Sequence, residues 1–436
     1  MSEADSLAPP ALDHAVGDET GIAMPAHEAA LREGGEAFLT QAFRTFGSLP
    51  PENRVSRITR LEPCPGGSTG HKLFLSVEYA SDEPGLERDL FVKFSRDFAD
   101  SRRDQGRYEM ESEARFAAVS RSSGFPLRVP TAYFGDFHSE SGTGLLITER
   151  VRFGQDGIEP LHGKCRDFEL ADPLAYYRAL VTALARLAAA HKTGALTADI
   201  ERRFPLDLAR AGVDPIGRDE ADVRRLVAHC RDFAGQYPRL LPANLREPDV
   251  YDGVLRQAIF IRDHEDLIRN DLLSNPDLVA LCHWNAHIDN AWFWRDADRE
   301  LRCGLMDWGR VSQITFGAAL WGCLSAAHHD VVDHELDTLI ALFVREYHAA
   351  GGPRLDVDLL KRHFLLHVGI MGLARVLAMP KVVLLLVRNP EQMTGPLDPR
   401  VLASGSGYNC LHIYTNLLKL WSRADFGGSL ETLTRW

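Results

Sequence analysis

Hydrophobic and polar positions alternate with a period of two over HKLFLSVEY (71–79) and DLFVKFS (89–95), which predicts two half-buried strands. SDEPG, between them, has the composition of a turn. GLLITERV (144–151) predicts a third strand. In RYEMESEARFAAVSR (107–121) the period changes: Met110, Ala114, Ala117 and Ala118 fall on one side of a helix. Beyond about residue 153 the texture becomes helical. Asp172 is placed to cap a helix with Pro173 at its first position and Gly194 closing it. Leu174, Tyr177, Val181, Leu184, Ala188 and His191 then share one face, with His191 read as a core histidine. Further helices are predicted over 357–378, stopped by Pro380, and over 408–422. Between 280 and 310 helices give way to loops and two short strands, around AWFW and LRCGLMDW, and no internal repeat is found. The pattern predicts an α+β chain of two lobes, a small β-rich one over 31–150 and a large helical one over 151–436. Residues 1–30, rich in Ala, Pro, Asp and Glu without periodicity, are expected to form a mobile tail.

Composition narrows the function classes. A length of 436 residues suits two or three packed units, and 45% hydrophobic with 25% charged residues excludes a disordered, collagenous or fibrous chain. The net charge of −12 lacks the basic footprint of a nucleic-acid or anionic-lipid binder. Seven scattered cysteines without a CxxC read as reduced thiols of a cytosolic protein. The acidic N-terminus lacks the features of a signal peptide, and the longest apolar stretch noted, Phe316 to Ala327, is too short for a bilayer. The expectation is a cytoplasmic protein without a membrane span.

Chemistry concentrates in HWNAHIDNAWFW (283–294) and LMDWG (305–309). His283, His287 and Asn290 keep the spacing His-x-x-x-His-x-x-Asn, and Asp307-Trp308 follows at the end of an apolar run. This resembles the catalytic loop of the aminoglycoside phosphotransferase and choline kinase-like family, whose fold is related to that of protein kinases. The resemblance implies ATP as phosphoryl donor, Mg²⁺ as cofactor and a small-molecule acceptor. The physical reading agrees: phosphoryl transfer needs divalent cations held against the phosphates, and Mg²⁺ takes hard oxygen ligands. Asp307 and the amide oxygen of Asn290 would supply them.

The resemblance also implies a phosphate-binding lysine held by a glutamate in the small lobe. Lys93, on the face of its strand opposite Leu90, Val92 and Phe94, needs a carboxylate or phosphate, because burying it alone is costly. Glu113, followed by Phe116, matches the family's Glu-x-x-Phe helix, with Glu111 as the alternative partner. Gly66, Gly67, Ser68 and Thr69 form a turn whose backbone N–H groups suit an anion. LITERV, with Glu149, falls where an inter-lobe hinge would meet the adenine.

The chain departs from the family at Asn285, where the pattern has its catalytic Asp. An amide orients a hydroxyl but takes no proton. Three readings stay open: a kinase for an acidic or ionised acceptor, a kinase in which Asp289 is the proton acceptor, and a pseudokinase that binds nucleotide or ligand without turnover. The catalytic candidates are thus His283, Asn285 and Asp289. No acid follows Asp307 until Asp330, which argues against a cationic acceptor, and Trp284, Trp292, Trp294, Trp308 and Trp321 suggest an apolar or aromatic one. A rival from another class, a zinc site of His283, His287 and Asp289 or His328, lacks a Glu placed as general base.

Overall fold

A computed structural model describes residues 12–64, 70–208, 211–424 and 426. The chain divides into two compact units: Met1–Asp156 with Ala195–Arg203 and Gly304–Val311, and Gly157–Gly194 with Phe204–Cys303 and Ser312–Trp436. The expected division after residue 150 therefore gains two later pieces on its N-terminal side, one of which carries Asp307.

The first unit begins with a hairpin, β1 (His14–Val16) paired with β2 (Ala23–Pro25), and then α1 (Glu28–Thr45). These elements correct the expectation of a mobile tail for residues 14–30. Ala15, Ile22 and Met24 join the core, and the Asp136 carboxylate accepts from the Glu19 and Thr20 N–H groups at 3.1 and 2.8 Å.

The strands β3 (Val55–Pro63), β4 (His71–Tyr79), β5 (Asp89–Phe94), β6 (Ala132–His138) and β7 (Thr143–Glu149) form one antiparallel sheet in the order β3-β4-β5-β7-β6. Alternation decides what each face does. Leu73, Leu75, Leu90, Val92, Phe94, Leu145 and Ile147 pack into a core with Phe38, Leu39 and Phe43 of α1. On the opposite face α2 (Arg103–Val119) lays Met110, Ala114 and Ala117 against Ala132, Phe137 and Leu146. Gly135 permits that approach, since a Cβ there would stand 2.5 Å from the Ala117 methyl. The β4–β5 part of this face carries Lys72, Phe74, Phe91 and Lys93. Gly66, Gly67, Ser68 and Thr69 lie outside the described residues.

In the second unit α3 (Pro173–Lys192) starts as its sequence dictates: the Asp172 side chain accepts from the Ala175 N–H, Pro173 follows, and Gly194 takes φ +69° after the helix ends. Helices Glu220–Gln236, Pro248–Asp263, Glu265–Ser274, Leu336–Ala349, Val357–Ala374 and Ser406–Trp421 make up most of the rest. Pro380 does not end a helix but opens one, Met379–Leu386, because proline is tolerated in a first turn. The span Val357–Leu386 contains an 18-residue window of mean hydropathy 1.8, apolar enough to cross a membrane by length and composition, beyond the twelve residues expected. Of that window 56% is buried inside the protein, as in a core helix, and the helix is interrupted after Ala374. β8 (Val279–Cys282) leads into the candidate loop, β9 (Ala291–Arg295) and β10 (Leu301–Leu305) leave it, and β11 (Ser312–Thr315) pairs antiparallel with β8. The helix Phe316–Leu324 follows directly, its N-terminus capped by the Thr315 hydroxyl.

Candidate active site

In the first unit, Lys93 is 3% exposed and ion-paired with Glu113, which is also buried. The Asp307 carboxylate lies 3.4 Å from the same ammonium. Burial alone would lower Lys93, but the carboxylates of Glu113 and Asp307 outweigh it and hold the ammonium above its usual range. Burial pushes the Glu113 carboxyl up, and the Lys93 charge opposes it. Glu111 is engaged elsewhere, 2.7 Å from Arg115 one turn along α2, so Glu113 is the lysine's partner.

Asp307 has φ +59°, a left-handed conformation that costs an L-residue energy and that Asp tolerates better than most. Such backbone strain concentrates at functional positions. α2 fixes the segment around it from one face: Glu109 pairs with Arg310 at 3.3 Å, Glu113 with Lys93, and Phe116 stacks on Trp308 with ring centroids 3.9 Å apart. The Trp308 indole N–H donates to the Leu305 carbonyl at 3.0 Å. Glu109 and Arg310 were not singled out in the sequence, although Glu109, Glu113 and Phe116 stand at i, i+4 and i+7.

In the second unit, the loop from His283 to Asn290 is organised around one carbonyl. The Asn285 carbonyl accepts from the His287 N–H at 2.8 Å and from Asn290 Nδ2 at 2.9 Å. His283 Nδ1 accepts from the Asn285 N–H at 3.0 Å, and the Asn290 N–H donates to the His287 carbonyl at 2.9 Å. With its Nδ2 engaged, the Asn290 side chain has its oxygen left as an acceptor among the described residues. Asn285 Oδ1 is buried and accepts no hydrogen bond among the described residues.

His287 Nε2 lies 3.0 Å from the Ser325 hydroxyl, and burial pushes its imidazolium well below the usual range, so the ring is neutral. The helix Phe316–Leu324 runs close behind: a Cβ on Gly322 would lie 1.8 Å from the Trp284 carbonyl oxygen. Gly322→Ala is expected to cost about 1–3 kcal/mol by overpacking and to disturb this loop. Thermal melts beside Gly235→Ala, where a Cβ meets nothing within 4 Å, check it.

Two further candidates have surroundings of their own. Glu149, at the end of β7, accepts from the Thr131 N–H at 3.0 Å, within the sheet. Asp289 lies where its charge helps to raise the buried Cys165 thiol, after the larger effect of burial. Trp292, Trp308 and Trp321 are buried, and the last two pack on Phe116 and Phe364. No group of three or more His, Cys, Asp or Glu among the described residues is arranged to hold a metal ion. The zinc set considered above is spent otherwise: His287 faces Ser325, and His328 Nδ1 accepts from the Asp330 N–H.

No family model matches the chain, and no curated protein sequence matches it. The solved structures to which it is similar include several small-molecule phosphotransferases. They include an aminoglycoside 2'-phosphotransferase-IIIa in a GDP complex, 17% identical over 75% of this chain and 87% of that one, with a TM-score of 0.36. A microcompartment-associated aminopropanol kinase is 14% identical over 85% and 95%, with a TM-score of 0.38. An ethanolamine kinase of Plasmodium vivax is 11% identical over 80% of both chains, with a TM-score of 0.37.

Proposed function

We propose that this chain is an ATP-dependent small-molecule kinase of the aminoglycoside phosphotransferase and choline kinase-like type, with a protein kinase-like fold. The observation that carries the reading is the buried Lys93–Glu113 pair with Asp307, in a left-handed conformation, beside it. Lys93 stays protonated and meets the α- and β-phosphates, and Glu113 fixes its position. The Asp307 carboxylate is 44% exposed, and it and the amide oxygen of Asn290 are hard donors of the kind Mg²⁺ takes. Mg²⁺ held by such donors would neutralise charge on the β- and γ-phosphates.

Asn285 orients the acceptor: its amide offers an oxygen to an O–H or an N–H to an oxyanion. The acceptor oxygen forms a bond to the γ-phosphorus as the bond to ADP breaks. An amide at this position takes no proton, which favours an acceptor that is already ionised, a phenolate or carboxylate, over an alcohol. For a less acidic acceptor, Asp289 is the carboxylate on the same loop. The net charge of −12 points away from nucleic acid and anionic membranes as partners, and the reduced thiols suit a cytoplasmic location.

ATP consumption with Mg²⁺ across alcohols, phenols and carboxylates, with product mass, tests the reading. Asp307→Ala is expected to lower turnover about 10²–10³-fold, as when one electrostatic stabiliser of a transition state is removed. Intact turnover in that variant would remove Asp307 from the metal role. Asn285 itself favours a second reading, a nucleotide-binding pseudokinase. Its mark would be a nucleotide-dependent rise in melting temperature with no phosphorylated product.

A further inference from the structure

The face of the sheet that carries Lys93 carries a second lysine. Lys72 on β4 stands directly opposite Lys93 on β5 in the antiparallel register, as Phe74 stands opposite Phe91. Directly opposed residues of such a pair project to the same side, with Cβ atoms about 4.5–5.5 Å apart. The neighbours on this face already have partners: the guanidiniums of Arg60 and Arg150 lie 4.9 and 4.2 Å from the centre of the Phe74 ring. Lys93 is engaged by both Glu113 and Asp307. Lys72 has no ion pair among the described residues, although it is partly buried.

Two like charges directly opposite weaken a strand pair. Burial first, and the Lys93 charge second, push the Lys72 ammonium below its usual range, with Asp307 and Glu113 opposing. A cation held there against repulsion calls for an anion that arrives with a ligand. Lys93 is held by two carboxylates at contact distance, so of the two lysines Lys72 is the one whose ammonium is left to meet what a triphosphate brings beyond a diphosphate. We propose that Lys72 is a second phosphate-binding lysine, which meets the terminal phosphate of a nucleoside triphosphate while Lys93 holds the inner ones, and so selects triphosphate over diphosphate. This rests on the kinase reading above.

Calorimetric titration of the full chain with MgATP and with MgADP tests it, using the native protein, Lys72→Met and Lys72→Arg. Lys72→Met is expected to weaken MgATP about tenfold and MgADP less than about twofold, the scale of one hydrogen bond to a charged group. Lys72→Arg, which keeps the charge, should retain most of the native preference for ATP. The melting temperature of nucleotide-free Lys72→Met should equal or exceed the native value, because the repulsion with Lys93 is gone. If Lys72 were only structural cover, that melting temperature would fall and the ATP-to-ADP affinity ratio would stay native. An unchanged ratio in a protein that binds nucleotide overturns the role of Lys72 and leaves the kinase reading standing. A native protein that binds neither nucleotide overturns the kinase reading, and the role of Lys72 with it.

Discussion

Lys93→Met is expected to destabilise the protein by about 3–5 kcal/mol, because it strands a buried carboxylate without its cation. Glu113 is buried, like the lysine it pairs with, so little solvent replaces the lost charge. Removing both partners should cost much less: in Lys93→Met/Glu113→Leu nothing charged is left buried at that point, and much of the lost stability should return. The pH dependence carries a sign. Burial already holds the Glu113 pKa above its unfolded value of about 4.3, and without Lys93 it rises further, so the folded state binds more protons than the unfolded one. The stability of Lys93→Met should therefore be greatest below that value and fall as pH rises toward the raised folded-state pKa. Urea melts of both variants between pH 4 and 8 check both points. A single variant as stable as the native protein, with no slope against pH, would mean that the pair does not act as a buried ion pair in solution.

Asn285→Asp should raise turnover about 10²–10⁴-fold for alcohol acceptors, the usual worth of a general base. It should do little for carboxylates, which bring no proton to remove at neutral pH. The new carboxylate would stand where Asn285 Oδ1 is now buried without a donor among the described residues, so its own pKa should be raised. That is a useful direction for a base, and it predicts a rate that climbs with pH to a plateau, whereas the native rate should follow only the ionisation of the acceptor. Plotting turnover against acceptor acidity for both proteins separates the cases. Equal slopes would show that position 285 handles no proton in either.

Some of this was legible in the sequence, and the reasons differ from element to element. β4 shows intact alternation because only one of its faces is fully buried, whereas β7 is legible as a short apolar run, since Leu145 and Ile147 meet one core and Leu146 meets α2 on the other face. β6 is an edge strand, yet it is buried along almost its whole length beneath α1 and α2, so its alternation is erased. β3 carries Arg57, Arg60 and Glu62 on the other edge, with two register shifts, and reads as polar. α1 is hidden by Gly34 and Gly35, the second at φ +50°, which breaks the helical period that Leu31, Phe38 and Phe43 would otherwise show. The N-terminal hairpin depends on Asp136, more than a hundred residues away, and no local pattern announces that.

Within the candidate site, Lys93 and Glu113 were readable because a strand and the helix after it fix their spacing. The choice between Glu111 and Glu113 was not, since it depends on which way α2 is rotated. The stacking of Trp308 on Phe116 and the Glu109–Arg310 pair join residues about two hundred positions apart, beyond the reach of any periodicity.

Membership of Gly304–Val311 in the first unit bears on how the protein is made. The sheet, α1 and α2 are synthesised early, but the partners of Glu109 and Phe116 emerge about 150 residues after Asp156. At ordinary elongation rates the nascent unit waits roughly ten to thirty seconds for them. Until then α2 presents Phe116 to the surroundings without its tryptophan. A chain released early, or a fragment cut at Asp156, would lack Asp307 and Trp308 together, so the first unit reaches its finished form only after most of the chain has left the ribosome.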